Sequence, residues 1–422
     1  MKVKETLKTV LLVLLMVCAV YLSYATWFFD DPGITERLKS ALPFSSTANS
    51  YTISGGDFAD AAIPSAISIK AGYGRYGAEY DSAALSAAFS TVSPYLVEAL
   101  GSAKNGVTVT DAEWREALSG EGIFFDYRGT IPADTLSAFL SADIMHDHSA
   151  SARFLMLSAK PDSLVFLYMT DGNSASVKRF ETAVASADIM NAINGFSPNG
   201  AYFAFESNTE NRLFCETLLI PKTNEFPVYH IETPSFFSET DTSETILRGF
   251  GFNPNTVESY TDRTGARVFV SGLETLQLGL NGELVYENPE GNSTVDDGLR
   301  PLEQALSLAN QIYSALGCTT KPYICDFYAE NGGSVALFGL SCDSIALSDG
   351  DSDYFVRAEF NENGVLVRFH LKAVTLVKTA ETSSPLSDEL ALIAAADEHG
   401  ALELRLPVDD SVSVARWTII SR

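Results

Sequence analysis

The first pattern along the chain is an unbroken apolar run. Residues 9–29 read TVLLVLLMVCAVYLSYATWFF and carry no charge. As a helix this run rises about 31 Å, at about 1.5 Å per residue, against a hydrocarbon core roughly 30 Å thick. Lys2, Lys4 and Lys8 precede it, and Asp30, Asp31, Pro32 and Gly33 follow it. The basic flank predicts a transmembrane helix with its N-terminus in the cytoplasm and everything beyond Asp30 outside. Lys8, Tyr21, Tyr24 and Trp27 are the expected membrane-interface anchors, because their apolar bodies and polar tips suit the headgroup level. Ala19, Ser23 and Thr26 fall at i, i+4 and i+7, on one helix face. Small residues there let a second transmembrane helix approach closely; the other reading is that they face lipid. A signal peptide cleaved after Ser23-Tyr24-Ala25 is the alternative to an anchor. Continuation of the apolar run through Trp27, Phe28 and Phe29 favours the anchor.

Beyond the run, residues 34–50 read as a short amphipathic stretch and a Ser/Thr/Asn linker. Period-2 alternation then predicts strands at 66–71, 123–127, 153–158 and 164–168. Helical spacing predicts helices at 79–100, broken at Pro94, and at 111–118, 133–141 and 184–193, with Asp111 as a cap. A Gly/Pro/Asn loop at 195–200 places a boundary near residue 198. Strands at 266–270, 275–280 and 284–286 follow, with Asn281-Gly282 as a hairpin turn. A helix at 302–316 comes next. Strands at 323–328, 334–340, 354–360 and 365–371 return, with Asn363-Gly364 marking another hairpin. A helix at 385–396 and strands at 402–406 and 414–420 close the chain.

Hairpins followed by helices predict an α+β fold, in which helices cover one face of each antiparallel sheet. The expected organisation is a cytoplasmic tail (1–8), a transmembrane helix (9–29) and a linker (30–50). An N-terminal α+β ectodomain (51–198), a central α+β domain (199–320) and a C-terminal α+β domain (321–422) would follow.

Composition narrows the function classes. A net charge of −26, from 54 acidic against 28 basic residues, opposes binding to nucleic acid or anionic lipid. Five cysteines are too few and too irregular for a disulfide framework. Pairing among Cys318, Cys325 and Cys342, and free buried thiols, both stay open.

Four features resemble chemical sites. Gly72-Tyr73-Gly74-Arg75-Tyr76-Gly77 matches G-x-G-x-x-G after a strand and before a helix, yet no parallel β-α-β alternation follows. An aromatic-rich loop is expected there instead. His146-Asp147-His148 offers metal-binding side chains but needs further ligands from elsewhere. Asp349-Gly350-Asp351-Ser352-Asp353 starts like a calcium loop and then fails in register. Tyr354 stands where glycine is needed and Phe360 where a bidentate Glu is needed, so an acidic hairpin tip is expected. The fourth is a Ser/His/Asp set, which abundant Ser and Asp always allow, but no nucleophile elbow accompanies it. The expectation is therefore no catalytic residues, no metal and no cofactor.

Several segments carry a family resemblance. Leu7-Lys8-Thr9 runs into VLLVLLMV and ends at Thr26-Trp27. Ile63-Pro64-Ser65-Ala66-Ile67 opens the ectodomain. Trp114 and Leu118 precede Ile123-Phe124-Phe125-Asp126-Tyr127 and then Ile131-Pro132. Arg416-Trp417 stands near the end. In these the chain resembles the YycH family, membrane-anchored accessory proteins of the WalK–WalR two-component system in Gram-positive bacteria. The stretch from Tyr260-Thr261-Asp262-Arg263 to Leu284-Val285-Tyr286-Glu287-Asn288-Pro289 is similar to a segment shared with the sister YycI family. The resemblance implies a non-enzymatic regulator of cell-wall homeostasis that contacts a sensor histidine kinase through its transmembrane helix and ectodomain. A YycI-like bitopic protein is a further implied partner. An envelope binding module for a wall or peptide ligand, secreted or tethered, is the alternative.

Overall fold

Alternating burial builds the first half around one sheet. The computed structural model describes residue 58 and residues 60–142, 150–160, 163–172, 176–221, 225–237, 240–291, 300–350, 352 and 354–420. The expected transmembrane helix and all of its anchors lie outside these residues. Strands β1 (Ala66–Ala71), β2 (Gly74–Glu79), β3 (Lys104–Thr108), β4 (Gly122–Pro132), β5 (Ser151–Ser158), β6 (Leu164–Thr170) and β7 (Lys178–Ala185) form it. Their order is β2-β1-β4-β5-β6-β7-β3, and every pairing is antiparallel.

Both faces of this sheet are buried. Ile67, Ile69, Ile123, Phe125, Leu155 and Leu157 point into one core. Their strand neighbours Phe124, Phe154 and Met156 point into another. Helices α1 (Ser82–Ser102), α3 (Ala133–Phe139) and α4 (Ser186–Ile193) cover the first face. Helix α2 (Asp111–Ser119) and residues 201–218 cover the second, with Trp114 fully buried against Tyr168.

Helix α1 starts at Asp81, whose side chain accepts from the amides of Ala83 and Ala84. It runs unbroken through Pro94, correcting the expected break. Pro94 and Ser90 are both exposed, so the carbonyl that loses its partner faces water. Leu85, Ala88, Phe89, Val92, Leu96, Ala99 and Leu100 bury the inner side, each large side chain stabilising by about 1.5–3 kcal/mol. By length and composition α1 is apolar enough to cross a membrane, the single such helix among the described residues; here it packs on the sheet. For α2 the cap is Thr110, whose hydroxyl accepts from the Glu113 amide, and not the expected Asp111.

The second half carries a larger sheet. A short pair, β8 (Tyr202–Phe203) with β9 (Leu218–Leu219), leads to β10 (Phe226–Glu232) and α5 (Thr240–Gly249). Then come β11 (Glu258–Thr261), β12 (Arg267–Ser271), β13 (Glu274–Leu278), β14 (Glu283–Glu287) and α6 (Pro301–Ala315). Strands β15 (Lys321–Glu330), β16 (Gly333–Cys342), β17 (Ile345–Ser348), β18 (Val356–Phe360), β19 (Leu366–Lys372) and β20 (Thr375–Ser383) follow. Helix α7 (Asp388–Ala394) and strands β21 (Ala401–Pro407), β22 (Val412–Ser413) and β23 (Arg416–Ile420) end the chain.

Eleven of these strands pair in the order β11-β12-β13-β14-β19-β18-β16-β17-β21-β23, with β15 added beside β16. The β17–β21 pair is parallel, an exception to the expected antiparallel pattern. Strands β20, β10 and β22 make a separate three-stranded sheet. Both predicted Asn-Gly hairpins are present, with Gly282 at φ 76° and Gly364 at φ 75°. Helices α5 and α6 pack together, and α6 buries Leu302, Ala305, Leu306, Ala309 and Ile312 against the sheet. Phe250 stacks on Tyr286 with centroids 4.7 Å apart.

The fold is thus mixed α+β, with antiparallel sheets and seven α-helices among the described residues. Those residues belong to one compact unit. The eleven-stranded sheet takes strands from both sides of residue 320.

Candidate functional site: the groove between the two sheets

The two large sheets meet where β4 bulges. Between Asp126 and Ile131 the pairing of β4 with β5 slips, and Arg128 adopts φ 64°. Asp126 Oδ1 accepts from the Arg128 amide at 2.6 Å, which fixes the bulge. Gly129 then presses against β15: a Cβ there would lie 2.0 Å from the Ile324 carbonyl oxygen and 2.5 Å from that of Cys325. The Arg128 guanidinium sits 5.2 Å over the Tyr323 ring and donates to the Ser344 carbonyl at 3.2 Å.

Buried charge stitches the same seam. Arg153 on β5 donates to Glu403 on β21 at 3.0 Å, and its Nε lies 3.5 Å from Asp126. Arg405 forks onto the same Glu403 carboxylate at 2.8 and 3.2 Å. All three of Arg153, Glu403 and Arg405 are under a tenth exposed. Desolvation would depress the Arg153 pKa, but the carboxylates of Asp126 and Glu403 reverse this and the net shift is upward. The Leu404 amide donates to the Tyr80 hydroxyl at 2.9 Å. Beside it, burial lifts the Glu79 carboxyl well above the usual carboxylate range.

Above this seam lies a groove of about 1380 Å³. Arg128, Gly129, Asp171, Tyr323, Asp326 and Arg405 line its base, and residues 207–216 form one wall. Asn211 knits that wall by donating to the carbonyls of Ala204 and Thr209 at 3.0 and 2.9 Å. The Arg212 and Phe214 amides tie it to the carbonyls of Ala396 and Gly400. Charge in the lining is mixed, with Arg115, Arg128, Arg153, Arg212 and Arg405 against Asp111, Asp171, Glu210, Glu216 and Asp326. Burial raises the Asp326 carboxyl, and Asp171 adds to the effect. Such a lining suits an extended polar ligand held by hydrogen bonds and paired charges, more than a small apolar one.

Two cysteines, Cys215 and Cys325, line the groove. Burial and the neighbouring Glu216 push the Cys215 thiol far above its usual range, the wrong direction for a thiolate. Burial likewise pushes Cys318 up to about 12, and burial with Asp343 pushes Cys342 up to about 11. Among the described residues no group of His, Cys, Asp and Glu is arranged to hold a metal ion. His370 meets Glu283 at 2.8 Å, His399 stands edge-on to Phe214, and exposed His230 pairs across strands with Val377 and Val412.

The motifs read from sequence resolve individually. Gly72–Gly77 is a hairpin, because Ala71 pairs with Gly74 and Gly72-Tyr73 is the turn. It therefore does not lead from a strand into a helix. Its glycines make room for residues 198–201, since a Cβ at Gly74 would lie 2.8 Å from Pro198 and one at Gly77 2.7 Å from Ala201. Arg75 is buried, donating at 2.9 Å to Ser68, to the Leu118 carbonyl and to Glu206, while stacking on Phe203. In the acidic tip, Asp349 bridges to Ser352 and pairs with Lys372. His146, Asp147 and His148 lie outside the described residues, as do Ala19, Ser23, Thr26, Lys8, Tyr21, Tyr24 and Trp27.

The sequence does not announce the seam. One signal was present: ALELRL at 401–406 alternates Glu403 and Arg405 with apolar residues inside a strand. Charges in such a strand face either solvent or a buried partner, and sequence alone does not tell which.

No family model matches the chain, and no curated protein matches it in sequence. Among solved structures, the crystal structure of YycH from Bacillus subtilis superimposes with a TM-score of 0.53 at 12% identity, covering 86% of this chain and 95% of that one. A structure concerned with dehydratase substrate selection in the borrelidin and fluvirucin polyketide synthases aligns with a TM-score of 0.14 at 12% identity, over 68% of this chain and 98% of the other. The second superposition is too poor to carry meaning, and the first shows that this chain has a YycH-like fold.

Proposed function

We propose that this protein is a membrane-anchored, extracytoplasmic accessory regulator of a sensor histidine kinase of the WalK type. The YycH-like fold over 86% of the chain carries the reading. The apolar run at 9–29 and its basic flank support an anchor with the bulk of the chain outside. The role is non-catalytic: the protein binds one kinase state better than another, because equal affinity for both shifts nothing. A few kcal/mol of differential contact is sufficient. Contact through the membrane runs along Ala19, Ser23 and Thr26, with a YycI-like bitopic protein as a further partner. Replacing both Ala19 and Ser23 with leucine is expected to weaken co-purification with the kinase by about tenfold, without changing the melting of the outer part. Unchanged co-purification would remove this helix face from the proposal.

The groove between the sheets favours one alternative, an envelope binding module that captures an extended wall or peptide ligand. A mature N-terminus beginning at Thr26, together with binding of purified wall fragments, would favour that reading.

A further inference from the structure

We propose that α7 is a proton-operated latch on the groove: with the Asp388 carboxyl protonated it clamps the wall at 207–216, and with the carboxylate formed it loosens that wall. The latch governs access to the groove and holds whichever ligand or partner enters it.

Helix α7 and the wall share one small core. Leu213 of the wall is buried with Ala391, Leu392 and Ala395 of α7, with Leu402 of β21 and with Ala204 and Leu219. Just past the helix, the carbonyls of Ala396 and Gly400 accept from the Arg212 and Phe214 amides at 3.2 and 2.8 Å. The wall is therefore fastened both to α7 and to the turn that follows it. A unit with so few buried apolar residues opens locally at lower cost than the main core.

Asp388 sits in the first turn of this helix at 9% exposure. Its Oδ2 accepts from the Ile220 amide at 2.6 Å, which ties the helix to the end of β9. A buried carboxyl without a cation favours its neutral form. Burial pushes this one up to about 6, from 3.8, while the Ile220 amide pulls it down.

The charges on the elements packed around α7 do not alter this. Tyr202 on β8 stays neutral, since burial, Asp388 and Glu389 all push its hydroxyl up. Glu403 and Arg405 on β21 bond each other, and Glu216 on the wall accepts from the Trp114 indole. Glu210 and Arg212 on the wall, Glu389 on α7, Asp397, Glu398 and His399 after it, and Arg416 on β23 are all exposed. None of these is among the causes that set the Asp388 carboxyl.

The value in the docked helix is the higher one. Docking is therefore strongest below about pH 3.8 and weakens as pH rises through about 6. The gap between the two values bounds the gain in open population at roughly a hundredfold.

Hydrogen exchange of the full chain in detergent, at pH 7.5 and pH 4, tests the latch. The variant Asp388→Asn removes the charge and keeps an oxygen for the Ile220 amide. At pH 7.5 amides within 211–220 and 391–400 are expected to exchange about tenfold or more slowly in the variant than in the wild type. At pH 4 the two proteins should agree within about threefold, and amides of α1 and β4 should agree at both. Equal exchange at pH 7.5 overturns the proposal. So does slowing that persists at pH 4, or that spreads evenly to α1 and β4, which is a change in global stability alone. Leu392→Ala hollows the shared core from the α7 side. It is expected to speed exchange of the Arg212 and Phe214 amides by about tenfold at both pH values. Wall amides indifferent to this substitution would mean that α7 does not hold the wall, and the latch fails.

Discussion

Asp388 carries a charge where water scarcely reaches, at 9% exposure, with its Oδ2 held 2.6 Å from the Ile220 amide. Burial pushes its carboxyl up to about 6, from 3.8, with the Ile220 amide pulling the other way. Because the folded-state value is the higher one, the stabilising contribution is complete below about pH 3.8 and is lost as pH rises through about 6. Asp388→Asn removes the charge and keeps an oxygen for the amide. At pH 7.5 it is expected to raise stability by about 1–3 kcal/mol, and at pH 4 the gain should vanish. Thermal melts at the two pH values check this; a gain equal at both would mean that charge is not the cause. Individual residues were unevenly legible. The short helix expected at 111–118 is present, and it buries Trp114 and Leu118. Arg75 read as part of a loop, because nothing in GYGRYG announces Phe203 and Glu206, which lie more than a hundred residues away.

Many elements lie where their periodicity put them, while β7, β10, α5 and β20 were not anticipated. Helix α6 and the two Asn-Gly hairpins lie where spacing and turn chemistry put them. Two differences from expectation have separate causes, solvent at Pro94 and a tertiary partner at β4. Pro94 does not break α1, since the carbonyl it orphans belongs to exposed Ser90. Strand β4 extends to Pro132, past the expected end at 127, because the bulge at Arg128 lets it turn onto β15. Gly129 is the element's vulnerable point. Gly129→Val would drive side-chain atoms into two carbonyl oxygens, costing about 1–3 kcal/mol or more. The expected readout is a lower urea midpoint. A midpoint unchanged from wild type would mean that β4 and β15 separate freely.

For the molecule as a whole, the sequence pointed to α+β architecture, and the family resemblance agreed with the YycH-like superposition. The groove was illegible, because its walls come from stretches near residues 111–130, 205–216, 323–326 and 399–420. No local pattern announces that these meet. The seam beneath it depends on Glu403, which neutralises two buried guanidiniums. Glu403→Gln is expected to cost about 3–5 kcal/mol, since both cations stay buried while their shared anion is gone. Replacing Arg153, Glu403 and Arg405 together with methionine should recover most of that loss, as measured by denaturant unfolding. A triple variant no more stable than the single one would show that the charges do more than balance each other.

The bond between Tyr80 and Leu404 also has a temporal side. Its partners are 324 residues apart. A ribosome adding about 5–20 residues per second makes the second partner roughly 15–65 s after the first. Throughout that interval the early sheet waits with its seam unsealed, its Arg153 without Glu403. Contacts this distant in sequence make folding slow and leave the incomplete chain prone to aggregation. The seam of a nascent chain closes only once β21, third from the end, has emerged.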